Sequence, residues 1–134
     1  MLITRASEYA ILSLILLSKS TSPMDSETLS NELSISKSFL AKILQALAKN
    51  GVLNSYKGVN GGFTLTRNPE DVNMLEIMLS VESRAPTVFD CSSSIEKCPF
   101  EKPELCSIWP FLNKLQIKID SFFKSMTLAD VIEK

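Results

Sequence analysis

Three helix-forming stretches followed at once by two short strands closed by a glycine turn leave this chain few folds to choose from. Residues 4–18 carry Ala6, Ala10, Ile11, Leu14 and Leu17 at helical spacing, with Leu12, Ile15 and Leu16 apolar on the remaining sides. Such a helix is expected to be covered from two directions. After a break at residues 20–22, Asp25 is the favoured cap of a second helix ending near Leu33, with Ser22 before Pro23 as the other choice. Ser36 caps a third helix, whose Leu40, Ile43, Leu44 and Leu47 form one apolar stripe up to the stop signal Asn50-Gly51. Residues 52–56 and 62–66 read as strands, joined by Lys57-Gly58-Val59-Asn60-Gly61, where glycine and asparagine tolerate positive φ. This order is that of a winged helix-turn-helix, in which the third helix enters a DNA major groove and the hairpin touches the backbone or minor groove.

The remainder is organised differently. Asn73 with Glu76 three residues on resembles a capping box opening a fourth helix, with Leu75, Met78 and Leu79 setting its faces. From residue 83 to 106 the sequence holds three Pro, four Ser and all three Cys with little periodicity, so it reads as a loop ordered by something other than a core, such as a ligand. Trp109 and Pro110 then open a long helix in which Ile108, Leu112, Leu115, Ile119, Phe122 and Met126 recur every three to four residues. That is more apolar surface than one face of a small domain needs, so a second copy is expected to pack against it as a homodimer; core packing within one subunit is the alternative. Thr127 with Asp130 caps a last short helix. With 134 residues the chain fits one domain and an appended element. We divide it into a winged-helix unit at 1–82, a cysteine loop at 83–106, and a dimerisation helix with a C-terminal helix at 107–134. The fold class is mainly α with a small β-hairpin wing.

Charge points the same way as the order of elements. The chain as a whole carries -1, yet no acidic residue lies between Glu32 and Glu70, where Lys37, Lys42, Lys49, Lys57 and Arg67 fall. Residues 1–70 hold 7 basic and 5 acidic groups (+2), and residues 71–134 hold 7 and 10 (-3). With its apolar stripe turned inward, the third helix leaves Lys37, Ser38, Ala41, Lys42 and Gln45 outward. The helix start at Ser36 and Lys37 suits a phosphate, Lys42 and Gln45 can reach base edges, and Lys57, Gly58 and Asn60 at the wing suit phosphate or minor groove. The bland alternative is a solvated basic surface. Histidine is absent, which removes Ser-His and Cys-His nucleophile pairs, His bases and His metal ligands, and no other acid-base or nucleophile constellation takes their place; an enzyme is not expected. The longest apolar run falls well short of the ~20 residues of a membrane span, and no secretory leader is evident, so a reducing cytoplasm is the expected compartment.

Cys91, Cys98 and Cys106 stand at C-x6-C-x7-C in the polar loop. That spacing is nonspecific, since zinc sites favour CxxC pairs and bacterial ferredoxins use tighter runs. Asp90, Glu96, Glu101 and Glu104 outnumber Lys97 and Lys102 around the thiols, which disfavours thiolates unless a cation is present. A metal centre would supply that charge. Three thiolates leave a fourth position for a carboxylate, water or small thiol, and Glu8, at the start of the first helix, is one choice; its plainer role is to favour the helix dipole.

With these residues in view, the chain resembles the Rrf2 family of bacterial winged-helix regulators from end to end. The resemblance rests on Ile3-Thr4-Arg5 with Tyr9-Ala10, Ser38-Phe39-Leu40, Leu47-Ala48-Lys49-Asn50-Gly51-Val52-Leu53, Lys57-Gly58-Val59-Asn60-Gly61-Gly62-Phe63 and Thr127-Leu128-Ala129-Asp130. It implies a homodimeric transcription factor on operator DNA, with Ser38 and Lys42 as recognition-helix contacts and Lys57 as the wing's basic contact, where many relatives have Arg. It also implies an iron-sulfur cluster, [2Fe-2S] or [4Fe-4S], on Cys91, Cys98 and Cys106, with Glu8 matching an acidic residue that reaches the cluster from the other subunit in nitric-oxide-sensing relatives. Two departures stand out. No His follows the third Cys, and Ala41 stands where some relatives place a Glu that filters DNA sequence. A cluster-free regulator working through thiol oxidation or a small effector, and a zinc-dependent protein-interaction module, are the competing expectations.

Overall fold

The computed structural model describes residues 2–82, 84–97 and 106–132, and Cys98 lies outside them. Helices α1 (Arg5–Lys19), α2 (Ser26–Leu33) and α3 (Lys37–Lys49) come first, then strands β1 (Leu53–Tyr56) and β2 (Gly62–Leu65), then α4 (Met74–Val81), α5 (Trp109–Ser125) and α6 (Leu128–Ile132). The architecture is therefore mainly helical with one antiparallel hairpin, pairing Leu53 with Leu65 and Tyr56 with Gly62.

Local chemistry sets the helix starts. Thr4, Asp25, Ser36 and Asn73 each place a side-chain oxygen on the backbone N–H three residues on, satisfying one of the donors a helix N-terminus leaves unpaired. Asp25 rather than Ser22 caps α2. Thr127 and Asp130 cap α6 reciprocally, with Thr127 N donating to Asp130 Oδ2 at 2.8 Å and Asp130 N to Thr127 Oγ1 at 3.3 Å. At Asn73 only half of the expected box forms, because the Glu76 carboxylate turns to Arg67 instead. Between α2 and α3, Ser34 takes the left-handed conformation (φ 55°), and Ile35 N reaches back to Ser30 O, which makes the tight turn of the helix pair.

Leu14, Leu29, Leu40, Leu44, Leu47, Val52, Val72 and Ile77 are fully buried in one core on which α1, α2, α3, α4 and the hairpin converge. Each such leucine removed from water contributes about 1.5–3 kcal/mol. The covering of α1 is narrower than its sequence implies. Ala10, Leu14 and Leu17 are buried and Ile11, Ile15 and Leu16 are partly buried against the core, but Leu12 stays 37% exposed. The tail returns to that core: Leu128 N donates to Val72 O and Met74 N to Met126 O, both at 2.8 Å, so α5 ends beside the start of α4. Among the described residues no helix is long and apolar enough to cross a membrane.

Candidate nucleic-acid interface and thiol loop

On α3, Leu40, Ile43, Leu44 and Leu47 turn inward and Lys37, Ser38, Lys42 and Gln45 are exposed, as the apolar stripe requires. Ser36 Oγ accepts from Phe39 N at 3.4 Å and lies 3.1 Å from Ser38 Oγ, so two hydroxyls and the open amides of the first turn share one spot with no acidic residue in that turn. This is a favourable place for a phosphate oxygen. Lys37 approaches Glu27 only to 3.8 Å, with both side chains more than half exposed, and such a contact leaves its charge available. Phe39 is 42% exposed and meets Tyr9 of α1 edge-on at 5.6 Å between ring centroids.

The hairpin presents Lys57, Gly58, Val59 and Asn60 to solvent, and Gly58 turns the chain with φ 98°. Its base is fastened on three sides. Phe63 and Met24 exchange backbone hydrogen bonds (2.8 and 3.3 Å), Thr66 Oγ1 donates to Gly51 O (2.7 Å), and Arg67 pairs with Glu76 while donating to Asp71 O (3.1 Å). That partnership with Glu76 raises the Arg67 pKa further, so the guanidinium stays charged. Gly62 lies against the Met24 backbone, where any Cβ would come within 2.5 Å of Met24 C and O. The wing and α3 are thus held at a fixed relative position, with their exposed basic residues at the surface. Sequence reasoning missed the Met24 bridge, for which no local signal exists.

Polar contacts hold the described parts of the thiol loop. Trp109 Nε1 donates to Cys91 O (2.9 Å), Asn113 Nδ2 to Ser92 O (3.0 Å), and Gln116 binds the backbone at Pro86 and Val88. Cys91 is buried at 4% exposure, and Cys106, three residues before α5, is partly buried; both are free thiols. The loop therefore brings two thiols toward the start of one helix. Among the described residues no group of three or more His, Cys, Asp or Glu side chains forms a metal site. Glu8 is exposed on α1 and paired with Arg5 at 2.7 Å, and among the described residues it joins no thiol in a metal-binding group; its carboxylate is at the surface, where a second copy can reach it. Soft thiolate donors suit iron-sulfur and zinc centres, and this donor set fits such a group in chemistry.

A family model described as Rrf2, iron-dependent transcriptional regulator, matches residues 3–134. A protein of Aquifex aeolicus named as an HTH-type transcriptional regulator is 32% identical over 98 residues, covering 73% of this chain and 67% of its own. The HTH-type transcriptional regulator NsrR of Bacillus licheniformis is 28% identical over 134 residues, covering 98% of this chain and 92% of its own. Among solved structures, CymR, the global cysteine regulator of B. subtilis, superposes with TM-score 0.75 at 20% identity, covering 98% of this chain and 95% of that one.

Proposed function

The chain belongs to the Rrf2 family of transcriptional regulators, and from that premise we propose that it is a homodimeric DNA-binding regulator whose operator affinity is set by an iron-sulfur cluster on Cys91, Cys98 and Cys106. Glu8 of a second copy is the proposed fourth ligand. The observation that carries the DNA reading is the exposed basic face of α3 beside a wing pinned to Met24, Gly51 and Glu76. A rigid pair of this kind can enter one groove and follow the neighbouring backbone. In it Ser36, Lys37 and Ser38 take a phosphate, Lys42 and Gln45 face the bases, and Lys57, Gly58 and Asn60 meet the backbone or minor groove.

The sensing half rests on the thiols. When bound, a cluster supplies thiolate-iron bonds that are lost on iron shortage, nitric oxide or oxidation. This chain's own part is to present Cys91 and Cys106 from a loop tied to α5 and to carry Glu8 on α1, next to the Tyr9 ring that touches Phe39 on α3. A tie between the loop of one copy and α1 of another would fix the separation of the two recognition helices. The scale of such coupling is about 1–3 kcal/mol, or roughly 5- to 150-fold in operator affinity. The domain division at 1–82, 83–106 and 107–134 follows these roles.

Anaerobic purification with visible absorption and iron and sulfide analysis, on the protein and on Cys98→Ala, tests the proposal. Iron and sulfide present in the first and lost in the second support it. A second reading is favoured by the pairing of Glu8 with Arg5: the same regulator without iron, switching by thiol chemistry. Colourless, iron-free protein that binds DNA, and does so differently after oxidation, would select that reading.

A further inference from the structure

Gln116 is the most buried polar side chain of α5, at 3% exposure, and its amide is fully used. Its Oε1 accepts from Val88 N (2.8 Å) and from the hydroxyl of Ser92 (2.6 Å), and its Nε2 donates to Pro86 O (3.1 Å) and to Asp120 Oδ1 (2.8 Å). Two acceptor sites and two N–H groups are all an amide side chain has. Its orientation is fixed by its backbone partners, because an N–H of the loop must meet oxygen and a C=O must meet nitrogen.

Trp109, Asn113, Gln116 and Asp120 follow the spacing i, i+4, i+7, i+11 and so share one face of α5. From that face Trp109, Asn113 and Gln116 hold the loop backbone at Pro86, Val88, Cys91 and Ser92, while Asp120 accepts from Gln116. The loop has no periodic apolar side chains with which to bury itself, yet Pro86, Cys91 and Ser92 are buried. Buried backbone groups need partners, and here one helix face supplies them. On the other side of the same helix, Ile108, Phe111, Leu115 and Phe122 are exposed.

We propose that Gln116 is the positioning residue of the thiol loop: it keeps Cys91 seated and shielded on α5 before any ligand joins the thiols. A change at the thiols is then transmitted to α5 through this polar ladder rather than through a hydrophobic core. The proposal deepens the sensor reading above, and it rests on that reading only in treating Cys91 as a sensing thiol.

The experiment uses metal-free, reduced full-length protein with Cys98→Ser and Cys106→Ser, so that Cys91 is the one thiol, and follows its reaction with 5,5'-dithiobis(2-nitrobenzoic acid). Gln116→Leu keeps the side-chain volume but leaves Val88 N, Pro86 O and Asp120 without this partner. It is expected to raise the Cys91 rate at least about tenfold. The milder Asn113→Ala, which removes one contact to Ser92 O, is expected to raise it about threefold. In a background retaining only Cys106, the same substitutions are expected to change the rate less than twofold. A Cys91 rate that moves less than twofold in both variants overturns the proposal. So does a Cys106 rate that rises by the same factor as Cys91, since that would mean general loosening of the chain. Because no iron is involved, a failure of the cluster reading leaves this result untouched, and the reverse also holds.

Discussion

Asp25 caps α2 with a carboxylate that accepts from Thr28 N at 2.7 Å, and hydrogen bonding to Thr28, through its side chain first and its amide second, holds the Asp25 pKa below its ordinary 3.8. A carboxylate with a depressed pKa adds stability that is fully present above its unfolded value and is lost as pH falls through its folded value. Asp25→Asn keeps an oxygen for the cap and removes the titration. We expect the melting temperature of that variant to fall less than the parent's between about pH 5 and pH 2; parallel curves by circular dichroism would contradict the assignment. Two glycines give a second comparison. Gly58 and Gly62 both have positive φ, but a Cβ at Gly58 meets open space whereas one at Gly62 meets the Met24 backbone. Gly58→Ala is expected to cost about 1 kcal/mol for the backbone conformation alone. Gly62→Ala should cost about 1–3 kcal/mol more by overpacking and should detach the wing from Met24. Urea denaturation of the two variants measures the difference, and equal losses would refute the clash. The caps at Asp25, Ser36, Asn73 and Thr127 were legible because each is satisfied within three residues of its own position, whereas Thr4, the cap of α1, was not read. The tight fit at Gly62 was not, since the atoms it faces belong to a distant part of the chain.

At the scale of elements, α1 to α4 and the hairpin could be read from periodicity and turn chemistry, because their apolar stripes meet one another in a single core. The long helix could be read only in part. Its apolar residues do recur at helical spacing, but they divide between two directions: Ile119 and Met126 lean on the core with buried Phe123, while Ile108, Leu115 and Phe122 face solvent together with Phe111. The buried polar side of the helix was invisible, since Gln116 acquires its role from a loop without any pattern of its own. An exposed row of Ile, Phe and Leu on a helix already packed on its other sides is the surface on which a second copy is expected to close. Leu115→Lys with Phe122→Lys should leave the fold intact, because both side chains are outside the core, and should weaken self-association at least about tenfold per side chain. Sedimentation equilibrium decides this. A double variant that dimerises as tightly as the parent would place the interface elsewhere, and one that unfolds would show that the exposed face belongs to the monomer's own packing.

For the whole molecule, the near-neutral total conceals a basic first half at +2 and an acidic second half at -3. Folding places Lys37, Lys42 and Lys49 on α3 and Lys57 at the wing, so a polyanion is attracted to that surface. Attraction of this kind has a measurable exponent, because each phosphate neutralised on duplex DNA releases condensed counterions and contributes about -0.9 to the slope of log K against log salt. A homodimer loses two contacts for every lysine removed. Lys57→Ala, at a fully exposed wing, should therefore make the slope on a mixed-sequence duplex shallower by about 2. Lys114→Ala, on the far part of α5, should leave it unchanged. Fluorescence anisotropy across a range of salt concentrations gives both slopes. If Lys57→Ala changes the slope by about 1 instead, one wing of the pair touches the duplex, and the two recognition surfaces do not engage it together. If neither variant changes it, the basic half is a solvated surface and DNA binding must reside elsewhere. A slope that responds to Lys57 but is the same in Cys98→Ala would assign affinity for the backbone to the winged-helix half alone, leaving the thiol loop to act through the separation of the two halves.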